Sequence, residues 1–388
     1  MTRDAGTGLP PVRGAVFLGA EHGFRLEELR LDAPGPGEVR VRIEASGVCR
    51  SDLHVLDGDW ERPAPVVMGH EGAGIVEAVG AGVGARPNDP HVGDLVVLAW
   101  TAPCGSCRAC LRGEAFLCLD PWGAGHRLGP SDVRLRRPDG SPVGVYSGIG
   151  TLATHQVVAA QAAIPIDPGL APAQAALIGC AVATGVGAVI RTAGVRAGDT
   201  VVVIGLGGVG LSAVMGAALA GAARVVAIDL AEEKLALALT VGASDAVRAT
   251  SAGETRAALL DLLPEGADHV LEAIGLASTA ELALELVRPG GTVTLVGMTA
   301  QGVRAGIDVH AFVERGIRLL GSNYGSILPS EAFPELARHA LAGRLPIGRL
   351  IEREIELDDL AGAFDALRRG EGARSVVTFG GIEPAPAR

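Results

Sequence analysis

Hydrophobic positions fall into two textures along this chain. Over the first third, short apolar-rich runs are cut by glycine and proline: EVRVRIEASGV at 38–48, AGIVEAVGAGV at 73–83 and GDLVVLAW at 93–100. Runs of this length, rich in Val and Ile and bounded by turn residues, predict strands. From about residue 198 the pattern changes. DTVVVIG predicts a buried strand, 208–220 a helix, RVVAI a second strand and AEEKLALALTVGA a second helix. Further strands are expected at 245–247, 268–273, 292–296 and 317–320, with helical stretches between most of them. Strands alternating with helices predict a parallel sheet covered on both faces, an α/β arrangement. The alternation ends after about residue 321, and GARSVVTF near the C-terminus reads as one more strand. No internal repeat and no long linker is visible. The polar, Gly- and Pro-rich stretch 119–148 reads as a long loop, and the end GIEPAPAR as a loose tail.

One segment imitates a membrane span, since residues 201–223 carry no charge. Glycines at 205, 207, 208, 210, 216 and 221 interrupt it, and a buried strand–turn–helix accounts for it better. The chain of 388 residues is long enough for two domains, and 48% hydrophobic with 20% charged residues describes a globular protein with much to bury. The net charge is −11 and no basic stretch stands out, which argues against nucleic acid and anionic membrane as partners. The first residues, MTRDAGTGLPPVRG, have no apolar core of a signal sequence, so a cytoplasmic location is expected. There, thiols serve metals or catalysis rather than bridges.

Four of the six cysteines crowd into 104–118 with spacing C-x2-C-x2-C-x7-C: Cys104, Cys107, Cys110 and Cys118. A short turn can point such thiolates at one centre about 2.3 Å from each, which is how zinc is held tetrahedrally. A redox pair needs only two cysteines, and four unrelated buried thiols need no such regularity. Four sulfur ligands leave no open position, so this site is expected to brace a loop and not to do chemistry. Further on, VVVIGLGGVG puts Gly205, Gly207 and Gly210 directly after a strand and ahead of a helix, the context in which G-x-G-x-x-G cradles a dinucleotide pyrophosphate on a helix N-terminus. Asp229 ends the second strand, 24 residues after Gly205, near the spacing of a carboxylate that binds the adenine ribose.

Cys49 in GVCRSDLH, His70 in MGHEGAG and Cys180 are scattered, and spacing alone cannot join them. A lone buried cysteine is usually a small hydrophobe. With these pieces in hand, however, the sequence resembles the zinc-dependent medium-chain alcohol dehydrogenases over roughly residues 12 to 380. The pieces are C-R-S-D-x-H at 49–54, G-H-E at 69–71, the four-cysteine lobe, GC at 179–180 and G-L-G-G-V-G at 205–210, in the family's order. The branch it looks most like holds the thiol-adduct formaldehyde and aryl-alcohol dehydrogenases. All six cysteines fall on metal positions of the family.

The resemblance implies a Rossmann doubly wound sheet plus a discontinuous, mostly β, GroES-like catalytic domain. The expected division is 1–183 catalytic, with the structural-zinc lobe at 100–120, 184–320 NAD-binding, and 321–388 returning to the catalytic domain and tail. It implies two zincs per subunit, with Cys49, His70 and Cys180 holding the catalytic one and its fourth position open. Asp52 is implied to orient His70, and Glu71 to sit beside the metal and assist ligand exchange. A proton relay is implied from the alcohol to Ser51, through the nicotinamide ribose, to His54 at the surface. For NAD, the implied contacts are Arg50, Thr184, Gly208, Val209 and Arg374 beside the glycines already named. Lys234, the only lysine in the chain, is implied to reach the same ribose as Asp229.

The activity implied is NAD-linked interconversion of a primary alcohol and its aldehyde at zinc. Trp60 and Trp100 lie where the family lines its substrate pocket and favour an apolar or aromatic alcohol; ordinary core residues are the competing reading. Glutathione-type members carry an arginine shortly after the last cysteine of the lobe, and LDPWGAG at 119–125 has none. The alternatives are a thiol-adduct formaldehyde dehydrogenase, a nicotinoprotein that never releases NAD, and a zinc-free nucleotide-binding relative, against which the complete ligand set argues. The long 119–148 loop resembles dimeric members, so a homodimer is expected.

Overall fold

The computed structural model describes residues 11–86, 88–119 and 133–380. Residues 120–132 of the expected 119–148 loop and the tail GIEPAPAR fall outside these residues; the rest of that stretch is not one loop, because it forms the short strands Leu135–Arg136 and Pro142–Val145, which pair with each other.

The first half is built mostly on antiparallel strands, with parallel pairing between Val66–Val67 and Pro142–Val145 and between Ile351–Ile355 and Arg374–Thr378. Val12–Phe17, Phe24–Leu31, Leu135–Arg136, Pro142–Val145 and Val66–Val67 close into a small barrel. Beside it lies a seven-stranded sheet centred on Glu38–Gly47, which pairs antiparallel with Gly72–Val79 on one side and with His155–Ala159 and Arg374–Thr378 on the other. The predicted C-terminal strand is therefore part of the sheet formed by the first third of the chain. Val39, Val41 and Ile43 alternate inward along the central strand, and Arg40 and Arg42 on its other face pair with Glu77. Period-two alternation is what a sheet covered on one face requires.

The other half is a six-stranded sheet in the order Asp245–Arg248, Arg224–Asp229, Thr200–Ile204, Ala267–Glu272, Val287–Leu295, Arg318–Gly321, all parallel. The strand order reverses direction between Thr200–Ile204 and Ala267–Glu272, and the crevice at the C-terminal ends of those two strands is the usual ligand position in such sheets. The charge-free segment 201–223 is the strand Thr200–Ile204 and the helix Gly208–Leu219, and nearly all of that helix is buried. Burial on every side explains the missing charges.

A helical run at Pro172–Ala193 joins the halves; it is long and apolar enough to cross a membrane, but 83% of its apolar window is buried inside the protein. Two stretches of it, 178–182 and 188–193, widen to π-helical geometry. Gly185 and Gly216 let it lie directly against the helix Gly208–Leu219, because a Cβ at either would strike the facing backbone. The largest hydrophobic cluster runs through this junction and includes Leu177, Val182, Val203, Leu211, Phe333 and Leu336. Burying a side chain of that size stabilises by about 1.5–3 kcal/mol, so the two sheets share one core.

Candidate active site

Cys49 stands at the N-cap of the short helix Arg50–Leu56 in extended conformation, φ −115° and ψ 150°. The first turn of that helix turns Asp52 inward, where it is fully buried. Its Oδ1 accepts from the Gly69 N–H at 3.2 Å and from His70 Nδ1 at 3.1 Å. A carboxylate can only accept, so Nδ1 carries the proton and Nε2 is left with a free lone pair. That Nε2 is buried and has no hydrogen-bond partner. Gly69 adopts φ +92°, and a Cβ there would press on Leu152 and Thr151, so only glycine allows the turn that delivers His70.

Cys180 arrives from the first π-helical stretch, and together with Cys49 and His70 forms a buried group whose ligand atoms lie within 4.8 Å of one another. The thiol of Cys180 donates to Cys49, and with His70 opposite this holds Cys49 well below the usual thiol range despite burial. Cys180 is raised correspondingly, as the partner that keeps the proton. Burial alone would push His70 down, but Asp52 and Cys49 outweigh it and hold the imidazole well above its usual value. An imidazole Nε2 and two sulfurs converging in one buried place suit a soft divalent metal, which would take the position of the proton they share and leave one position open.

Glu71 follows in the fully buried interior. Its Oε1 accepts from the Ala181 N–H at 2.8 Å, and its Oε2 pairs with the Arg374 guanidinium. Thr151 Oγ1 accepts from the Glu71 N–H at 3.2 Å and shares a hydrogen bond with Ser46 at 2.8 Å. The sequence carried no signal for the Glu71–Arg374 pair or for Thr151, because the partners are 80 residues or more apart.

The four remaining cysteines gather in the loop around Arg108–Leu111. Sulfurs about 2.3 Å from a tetrahedral centre stand about 3.8 Å apart. Cys104 and Cys110 are 4.0 Å apart and Cys107 and Cys118 3.9 Å, far beyond a disulfide bond and close to that edge length. Backbone N–H groups of Cys107 and Leu119 donate to the sulfurs of Cys104 and Cys107. Hydrogen bonds from the backbone at Cys110 and Leu119 bring Cys107 down to about 6, while burial raises Cys110 to about 12. The lobe touches the rest of the site where the Asn323 amide donates to the Phe116 carbonyl.

At the switch point of the parallel sheet, Gly205 takes φ +90° and Gly207 caps the helix Gly208–Leu219. A Cβ at Gly210 would strike the Gly205 carbonyl, whereas one at Gly207 would meet nothing within 4 Å. The open side of Gly207 is where a phosphate can approach the helix N-terminus. Val209 follows in the first turn, and the side chain of Arg374 lies over Gly208. Asp229 Oδ2 accepts from the Leu206 N–H at 2.7 Å and Oδ1 from the Ala231 N–H at 3.1 Å, so the carboxylate ties the glycine turn to the start of the next helix. Lys234, half-buried, sits in the first turn of that helix. Thr184 follows Cys180 by about one helical turn, and the Arg50 guanidinium donates to the Leu367 carbonyl at 3.3 Å.

Trp100 and Trp60 stand in different surroundings. Trp100 stacks on Tyr324 with centroids 4.1 Å apart, and the buried Tyr324 hydroxyl donates to the Gly179 carbonyl, next to Cys180. Tyr324 takes φ +52°, a costly conformation for an aromatic residue held by its neighbours. Trp60 is buried, stacks on His54 and donates its indole N–H to the Thr299 carbonyl. His54, expected at the surface, is mostly covered: its side chain is 17% exposed. Neither Tyr324, Asp59 nor Thr299 was legible as a site residue beforehand.

Two family descriptions match the sequence: "Alcohol dehydrogenase GroES-like domain" over residues 35–168 and "Zinc-binding dehydrogenase" over residues 208–342. An S-(hydroxymethyl)glutathione dehydrogenase of Photobacterium damsela subsp. piscicida is 34% identical over 374 residues, covering 95% of this chain and 99% of its own. Among solved structures, an alcohol dehydrogenase zinc-binding domain protein from Burkholderia ambifaria superposes with a TM-score of 0.88 at 31% identity, over 96% of this chain and 100% of that one. Benzyl alcohol dehydrogenase from Acinetobacter calcoaceticus superposes with a TM-score of 0.86 at 28% identity, over 96% and 100%.

Proposed function

The chain belongs to the zinc-dependent medium-chain alcohol dehydrogenase family, and from that premise we propose that it interconverts a primary, apolar or aromatic alcohol and its aldehyde with NAD. The observation that carries this reading is the buried trio Cys49, His70 and Cys180, with the His70 Nε2 lone pair unpartnered inside it. Those three atoms would hold the catalytic zinc, and Cys104, Cys107, Cys110 and Cys118 the structural one. Zinc supplies a Lewis acid that polarises the substrate oxygen, and NAD supplies the hydride acceptor.

The chain's own residues do the rest. Asp52 orients His70 and holds its tautomer. Ser51, one turn before His54, offers a hydroxyl that passes the alcohol proton outward, and His54 takes it at Nε2. Gly205, Gly207, Gly208, Val209 and Gly210 would bring backbone N–H groups to the pyrophosphate, with Arg50 and Arg374 beside it, and Thr184, one turn on from Cys180, would also meet the cofactor. Asp229 and Lys234 hold the adenine ribose. Trp100, packed at a tilt on the buried Tyr324 whose hydroxyl reaches the residue before Cys180, would offer an apolar ring face that suits an aromatic substrate.

A thiol-adduct formaldehyde dehydrogenase is the second reading, favoured by the relative at 34% identity. The parallel sheet ends in Arg318–Gly321, whose outer edge has no partner among the described residues and which follows the exposed Val309 and Val313 in sequence. That edge supports the reading of a homodimer.

Metal analysis, native mass spectrometry and turnover of benzyl alcohol, straight-chain alcohols and formaldehyde with thiols test the proposal together. Two zincs per subunit, a dimer and NAD-dependent benzyl alcohol oxidation are expected. No alcohol turnover by zinc-replete protein would overturn it. Turnover only of formaldehyde with a thiol would favour the second reading, and NAD retained through purification would mark a nicotinoprotein.

A further inference from the structure

The helix Arg50–Leu56 ends just after His54, and the chain then doubles back. Gly58 takes φ +81°, and the Trp60 N–H donates to the His54 carbonyl at 3.2 Å. This return lays two consecutive side chains on one imidazole. Asp59 Oδ2 meets His54 Nδ1 at 2.7 Å. The Trp60 indole stacks on the same ring, centroids 4.7 Å apart and planes 24° from parallel. The far end of that indole leaves the antiparallel half altogether, donating Nε1–H at 3.1 Å to the carbonyl of Thr299. Thr299 lies just beyond Val287–Leu295, in the loop that leaves the crevice end of the parallel sheet. Trp60 is 6% exposed and Asp59's side chain 41%, so one clamp jaw is buried and the other faces water.

We infer that Asp59 and Trp60 are positioning residues that clamp His54, and that the Trp60–Thr299 hydrogen bond makes the clamp complete only when the two halves are closed on each other. The inference rests on His54 being the proton acceptor of the proposed reaction. Asp59 can only accept, so it fixes the proton on Nδ1 and leaves Nε2 as the acceptor. A proton taken up at Nε2 makes an imidazolium next to the Asp59 carboxylate; the proton then passes to water and the neutral ring returns. Trp60 prevents the ring from turning and, through Thr299, ties its position to closure of the cleft over the dinucleotide. It therefore does more than wall the substrate pocket.

Two readouts separate the jaws. The first is proton release in a single turnover, followed with an indicator dye on zinc- and NAD-loaded protein and benzyl alcohol. Asp59→Ala is expected to slow it about tenfold, the low end of what positioned acid–base groups contribute. Asp59→Asn, which still accepts from Nδ1–H, should recover most of that loss. In a His54→Gln background Asp59→Ala should cost nothing further, because both act through one ring. An additional loss in the double variant, or no rescue by Asn, would overturn the assignment of Asp59.

The second readout is NADH dissociation, measured by stopped-flow fluorescence without any alcohol. Trp60→Phe keeps a ring on His54 but removes the indole donor, and the off-rate should rise about fivefold, the equivalent of one ordinary hydrogen bond. An unchanged off-rate would overturn the latch. Wild-type protein supplies a check that needs no folded variant: the Trp60 indole N–H should exchange with solvent more slowly once NADH is bound, and equal exchange would count against the latch. If NADH binds while no alcohol is oxidised, the proposed reaction fails and the latch is still decided by these two measurements.

Discussion

Glu71 and Arg374 show what single residues decide here. Both are buried, and each is the other's counter-charge. Removing one side of such a pair leaves an uncompensated charge and costs about 3–5 kcal/mol. Glu71→Gln is therefore expected to lower the melting temperature well beyond a surface substitution, measurable by calorimetry. Saturating NAD should restore part of the loss, and more than it stabilises wild type, because the pyrophosphate replaces the missing negative charge beside Arg374. Equal stabilisation of the two proteins would separate Arg374 from the cofactor. Cys49, Asp52 and His70 were visible in advance only through the resemblance their motifs carry, since residues this scattered cannot be joined by spacing. The pairing of Glu71 with Arg374 was not, because nothing local links a strand at 72 to one at 374.

At the scale of elements, the strand Arg224–Asp229 and the glycine turn act as one device through the Asp229 carboxylate. NAD is expected to be preferred over NADP at least about a hundredfold in kcat/KM. A 2′-phosphate about 4 Å from that carboxylate meets about 4 kcal/mol of repulsion per charge at an effective dielectric near 20. Asp229→Asn removes the charge and keeps an acceptor for only one of the Leu206 and Ala231 N–H groups, its amide NH2 facing the other, so it should narrow the preference with a modest loss of fold stability. Asp229→Gly removes the acceptor too and should lower the melting point as well. Steady-state kinetics with both coenzymes and a thermal melt check the pair of variants; an unchanged coenzyme ratio in both would remove Asp229 as the selector. The four-cysteine lobe is a second such element. Cys107→Ser opens a closed site and should lower stability and release one zinc per subunit. Through the Asn323–Phe116 contact and the Trp100–Tyr324 stack it should also raise KM for aromatic alcohols more than for small ones. A variant that melts lower with an unchanged KM pattern would limit the lobe to bracing.

For the whole molecule, the edge of Arg318–Gly321, which has no strand partner among the described residues and follows the exposed Val309 and Val313 in sequence, predicts how copies associate, since an unpaired strand edge is a ready pairing surface. Val313→Glu is expected to shift the protein toward monomer in analytical ultracentrifugation, with the melting temperature lowered and the alcohol chemistry retained per folded subunit; an unchanged mass would place the interface elsewhere. At this scale the sequence alone determined the class of fold. Strand–helix alternation from 198 to 321, a glycine turn between strand and helix, and regular cysteine spacing are local patterns, and local sterics and ligand geometry restrict what each can become. Short apolar-rich runs cut by glycine and proline likewise marked the sheet strands at 38–47, 72–79 and 95–98 to within a few residues. Only the tertiary structure decided that Arg374–Thr378 crosses back to pair with Glu38–Gly47, that Cys180 rides a π-helical stretch up to Cys49 and His70, and that Trp60 spans from His54 to Thr299. These juxtapositions depend on how the shared core around Pro172–Ala193 packs the two sheets together. Packing is set by the summed fit of many distant side chains, so no short stretch of sequence carries it.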